Sequence, residues 1–265
     1  KNDLIYSVPW IQPVKIDDKL IKDYSFIYKF NILNFLFNFL KSVYEVFICL
    51  NKLIISIFIK EKKKNIDSNI LILSHLISSK HLNSKNDFYF GNLEDNLNKV
   101  GHKTNKYFLN HTNLNKNMIS NSKFQVLPKI DNFKIEFEVF INQIKLFIFF
   151  LSNLFLLIKK NQKLSIILIF ILKIFSYHTQ SALRIGIQLK SMTKNKKVKY
   201  LFITFEGHSY EKMISLYNKD TSIIAYQNTP LSICQYSIKF YSNNTLPKIL
   251  LAKNEIYKKF LEKNL

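Results

Sequence analysis

A chain of 265 residues is long enough for one large domain or two medium ones with a substantial core. Its formal net charge of +21 points to a polyanion or an anionic membrane, yet all but one of the 39 basic residues are lysine. Arginine reads bases and clamps phosphates bidentately, so its near absence, with no recognition motif to compensate, argues against nucleic acid as a partner. The two cysteines, Cys49 and Cys234, lie far apart in apolar surroundings, which fits a reduced cytoplasmic protein and excludes a disulfide framework.

The opening stretch, KNDLIYSVPWIQPVKIDDK, lacks the apolar core of a cleavable signal peptide. A start at Lys1 and an end at FLEKNL read as those of a fragment. Residues 1–68 are expected to form a helical extension closed by KEKKKNIDSN. Between Phe30 and Lys60, the polar residues Asn31, Asn34, Asn38, Lys41, Glu45, Lys52 and Ser56 recur at helical spacing and form one stripe. A spanning helix needs about 20 mainly apolar residues, and this one is interrupted too regularly. A helical insertion is expected over 131–190. Within it, the apolar run from Leu146 to Ile158 is followed by Lys159 and Lys160, then by Leu164 to Leu172. Three readings stay open for these segments: core helices, true spans, or helices lying on an anionic inner membrane with KEKKK and KKNQK at the headgroups.

From residue 69 the composition changes. NILILSH (69–75) is a short apolar run with polar flanks, as expected of a buried parallel strand. Leu93, Leu97 and Val100 lie at helical spacing, with Gly101 placed to close the helix. KTNKYFLNH, SKFQVLP, VKYLFITF and SIIAYQ follow as strands, and a helix is expected over Ser209–Asn218 with Ser209 as its N-cap. A last strand at 248–252 precedes a helix. This alternation predicts an α/β fold with a Rossmann-like parallel sheet. Four glycines leave little room for a phosphate loop, and neither a GxGxxG nor a Walker sequence is present.

In such sheets, ligands gather beyond the carboxyl ends of the strands. FEGHSYE stands at one of these ends. Gly207 lets the chain turn there, Glu206 needs a partner or a ligand, and Glu211 falls in the first turn of a helix. An acid in a first turn is also favoured by the helix dipole alone. The next strand ends in AYQNTPLS, bringing Gln227, Asn228 and Thr229 to the same edge. The six histidines show no metal-ligand spacing, so neither metal nor cofactor is expected, and His102 and His111 receive no role.

FEGHSYEKMI, IIAYQNTPLS and LPKILLAKNEIYKKFLE together resemble the signature of bacterial surface-carbohydrate biosynthesis proteins of O-antigen and capsule clusters, which are similar to GT-B-fold glycosyltransferases. The resemblance covers about residues 69–265. It departs from the family at Asn228, which stands where the family often has His, at Lys248 in place of Asp, and at Asn254 near a usual Gly. It implies that residues 69–245 are the acceptor-side half of a GT-B fold and that 246–265 open a truncated donor half. It further implies transfer of a sugar from a nucleotide-sugar donor to a glycan or lipid-linked acceptor, peripheral to the inner membrane. Glu206 and Glu211 then take the two acidic positions, with Glu206 as catalytic base. Ser74, His75, Gly91, Asn92, Gly207, His208, Tyr226, Gln227, Asn228 and Thr229 line the substrate. The rivals are a non-catalytic membrane-peripheral scaffold with half a GT-B fold, and an integral membrane protein.

Overall fold

The computed structural model describes residues 32–60, 67–78, 81, 86–112, 125–159, 171–194, 197–228 and 241–265. Thr229, one of the expected ligand residues, lies outside them. The chain divides into two compact units, Lys1–Glu61 with Ile130–Ile187, and Lys62–Lys129 with Gln188–Leu265. The extension and the insertion, expected as separate additions, therefore belong to one unit.

The second unit is built on β1 (Ile70–Leu76), β2 (Thr104–Asn110), β3 (Gln125–Val126), β4 (Tyr200–Thr204), β5 (Ser222–Gln227) and β6 (Ile249–Ala252). All pairings are parallel, in the order β3-β2-β1-β4-β5-β6. This is the Rossmann order. β1, ILILSHL, is buried at every position, as a central strand covered on both faces must be. It pairs with β2 from Ile70↔Thr104 to Leu76↔Asn110 and with β4 from Ile70↔Tyr200 to Ile72↔Phe202. Leu71, Ile72, Leu73, Leu201, Ile203, Ile223 and Ala225 fill the sheet core. A short helix, Leu93–Lys99, joins β1 to β2 and closes at Gly101, whose φ of 86° is the left-handed value expected there.

β6 corrects one expectation. Residues 246–265 do not open a separate sheet. Ile249 to Ala252 pair with Ile224 to Gln227 and complete the same one, because ILLA can satisfy its backbone on the exposed side of β5. The helix Glu255–Asn264 follows, and Asn254 is its N-cap: its backbone is extended and its side chain accepts from Tyr257 N at 3.0 Å.

The first unit contains α1 (Ile32–Ile57) and α2 (Phe133–Lys159), and α3 (Tyr177–Thr193) begins in it. Leu146, Phe150, Ile174 and Phe175 form its apolar cluster, with Val46 and Phe147 packed against them. Apart from Lys41 and Asn51, the described polar residues of α1 face inward. Ser42, Cys49 and Ser56 are buried, the Cys49 thiol donates to Gln143 Oε1 at 3.2 Å, and Lys52 donates to Gln180 Oε1 at 3.0 Å. Gln143 and Gln180 in turn donate to the carbonyls of Ile174 and Phe175. Arg184, the chain's only arginine, makes a buried fork with both carboxylate oxygens of Glu136 at 2.6 and 2.7 Å. Among the described residues, no helix is long and apolar enough to cross a membrane.

Candidate functional site

Strand order reverses between β1 and β4, and in open α/β sheets the crevice beyond the carboxyl ends at this point is where ligands bind. β1 brings Ser74 and His75 to it, and β4 brings Thr204 and the Glu206–Glu211 segment. After β4 the chain passes through Gly207, at φ 86°, into the helix α4 (Ser209–Tyr217). His208 rather than Ser209 is the N-cap.

The two acids of this segment have opposite surroundings. Glu211 is 1% exposed, and its carboxylate receives the backbone N–H of Glu206 at 2.9 Å, of Gly207 at 2.8 Å and of His208 at 3.0 Å. The Tyr241 hydroxyl adds a fourth donor at 3.1 Å. Burial raises the Glu211 carboxyl above its ordinary range, against the pull of His208 and the N–H donors. Every one of these contacts is a donor, so the cradle fits a carboxylate. Its oxygens are committed to holding the turn. Glu206 instead points its side chain, 15% exposed, at His208, with Nε2 of the ring 3.2 Å from Oε2. Burial opposes protonation of His208, but the hydrogen bond its ring donates to Glu206 and the charges of Glu211 and Glu206 outweigh it and raise its pKa. The His208 side chain is 52% exposed.

Ser74 and His75 are buried strand residues, not loop residues. Ser74 donates to Asp87 Oδ1 at 2.8 Å, and the same oxygen accepts from the N–H of Tyr89 and Phe90. Ser74 thus fixes a loop. His75 is the hub of a polar chain: Nδ1 lies 2.8 Å from Nε2 of His111, and Nε2 lies 2.8 Å from the Thr204 hydroxyl and 3.3 Å from that of Tyr210. Burial, then the neighbouring His111, lowers its pKa to about 3, so the ring is neutral and donates from one nitrogen only. The Tyr89 ring packs on it at 4.8 Å between centroids.

Gly91 closes the loop over Asp87 through a two-way backbone bridge, and Asn92 is the exposed residue before the Leu93–Lys99 helix. The ring of Phe90, from that loop, meets that of Tyr226, at the end of β5, at 6.3 Å. Asn228, half-buried, follows at the strand exit. Gln227 is fully buried, and its side-chain oxygen accepts from Lys253 N at 3.3 Å, so it ties β5 to the exit of β6.

The chain matches no family model, no curated protein and no solved structure. The geometry therefore carries the site by itself. It brings Glu206, Gly207, His208 and His75 together at the switch point, and Phe90 of the Asp87–Gly91 loop meets Tyr226 at the end of β5. Sequence reasoning missed His111, Thr204, Tyr210, Tyr241 and Asp87. A lone His or Thr at a strand end carries no spacing signal, and only the parallel register of β1 with β2 and β4 juxtaposes these residues. Among the described residues, no three His, Cys, Asp or Glu side chains are placed to hold a metal ion.

Proposed function

We propose that this protein is a glycosyltransferase of GT-B type in surface-polysaccharide synthesis, acting without a metal or cofactor. It would move a sugar from a nucleotide-sugar donor to a glycan or lipid-linked acceptor at the cytoplasmic face of the inner membrane. The observation that carries the reading is the Glu206–His208 pair, partly open to solvent at the switch point of a parallel sheet. The resemblance of FEGHSYEKMI and the motifs after it supplies the substrate class.

In this scheme the acceptor hydroxyl gives its proton to Glu206 as its oxygen bonds to the anomeric carbon. The bond from that carbon to the donor phosphate breaks, and the nucleoside diphosphate leaves with the electron pair. Imidazolium at His208 supplies positive charge beside the reaction. Glu211 positions the turn without touching substrate.

A general base contributes about 10²- to 10⁴-fold in rate, so Glu206→Gln is expected to lower transfer by about that factor. Its circular dichroism and urea midpoint should match the parent's. Glycan synthesis undiminished in cells carrying only Glu206→Gln overturns the assignment.

A further inference from the structure

α1 is turned inside out for a helix of a water-soluble unit. Its inward side carries Asn38, Ser42, Glu45, Cys49, Lys52 and Ser56, with Val46 and Leu53 between them, and each of these is buried or half-buried. Its outward side carries the apolar residues. Phe37, Leu40, Tyr44, Phe47, Ile54 and Phe58 follow one another at spacings of three, four or seven and are 57% to 81% exposed. At about 100° per residue the exposed apolar arc covers nearly half the circumference, and Asn51 is the one polar residue on it. The usual amphipathic rule places the apolar stripe against the core. Here the core-facing polar groups are hydrogen-bonded to Gln143 and Gln180, so the orientation is specified rather than slipped.

We infer that this face of α1 lies in the headgroup layer of an anionic membrane, parallel to its plane. Charge selects that occupant. Lys41 is exposed beside the stripe and Lys60 at its end, and Lys62, Lys63 and Lys64 follow in the sequence, while the one acid of α1, Glu45, faces inward. Lysines at one edge and at the end of an apolar stripe match anionic lipid, whereas a second copy of the same face would set like charges against each other. The helix is about 39 Å long at about 1.5 Å per residue, and no described helix can cross a bilayer, so the contact is in-plane. Of the reading above, this inference uses only the placement at the inner membrane. It would tether the chain to the leaflet where a lipid-linked acceptor is held.

The test is co-sedimentation of the full chain with phosphatidylcholine vesicles, with and without about one-third phosphatidylglycerol, at low and high salt. The expected result is binding that requires the anionic lipid and weakens with salt. Joint substitution Leu40→Gln and Phe47→Gln should weaken binding at least tenfold with unchanged circular dichroism, since both side chains are 65% exposed. In a Trp10→Phe background, Phe47→Trp should give an indole emission that moves to the blue on adding anionic vesicles and not neutral ones. Equal binding by parent and double variant overturns the inference, as does an emission from that introduced indole that no vesicle moves. So does a concentration-dependent dimer, seen by ultracentrifugation, that the double variant abolishes. Soluble-acceptor transfer reads the other proposal separately: the double variant should retain it, and its absence in the parent leaves the vesicle result standing.

Discussion

Glu206 and Glu211 are chemically the same group five residues apart, and their burial and hydrogen-bond partners set them apart. Glu211 sits among four donors and Glu206 beside a half-exposed imidazole. Removing Glu211 strands three amides and a phenol, so Glu211→Ala is expected to cost about 3 kcal/mol in urea denaturation. Sequence placed both acids at the right strand end. It could not assign them, because the count of donors around a carboxylate depends on the conformation of the turn, and only Gly207 announces that turn. Arg184 teaches a similar lesson. Its scarcity argued against nucleic acid, and the structure spends this fork on Glu136 inside the helical unit.

At the scale of elements, apolar runs and helical spacing made β1, β4, β5 and α4 legible to within a residue or two. Their partners were not. β6 was taken for a new domain because ILLA between polar flanks looks the same whether it starts a sheet or finishes one. α1 was legible as two stripes, but periodicity gives the stripes and not which one faces inward; Gln143 and Gln180, distant in sequence, decide that. The last helix depends on its N-cap, Asn254. Asn254→Ala should cost about 1 kcal/mol, read as a loss of helical signal and faster amide exchange over Tyr257 and Lys258.

The molecule's two units are expected to respond differently to pH. In the sheet unit, burial holds His75 near 3, well below its ordinary value, and also lowers His111. The unfolded chain therefore binds more protons at these two rings as pH falls from about 6.5, and the stability from keeping them neutral drains away toward pH 3, while the raised pKa values of His208 and Glu211 act in the opposite sense. Burial likewise lowers the Lys212 amine, over the Tyr241 ring, to about 7, so this unit gains stability from pH 7 up to the ordinary lysine value. In the helical unit, burial lowers Lys52 to about 8 and raises the Cys49 thiol to about 11. Lys52 adds stability as pH rises above 8, and Cys49 removes it as pH rises from 9 to 11. Hydrogen exchange, corrected for intrinsic rates, should show the amides of β1 and β4 losing protection between pH 7 and 5, while those of α1 hold theirs. Equal loss in both units would show that the buried histidines do not control acid stability.

The register of β1 against β4 also sets a schedule. His75 and Thr204, joined at 2.8 Å, are 129 residues apart in the chain. At synthesis rates of about 5–20 residues per second, β1 waits roughly 6–26 s for its second neighbour. Through that interval β1, apolar on both faces, can pair only with β2 and presents an open edge to whatever is nearby. The switch-point crevice is therefore among the last features of the sheet to exist.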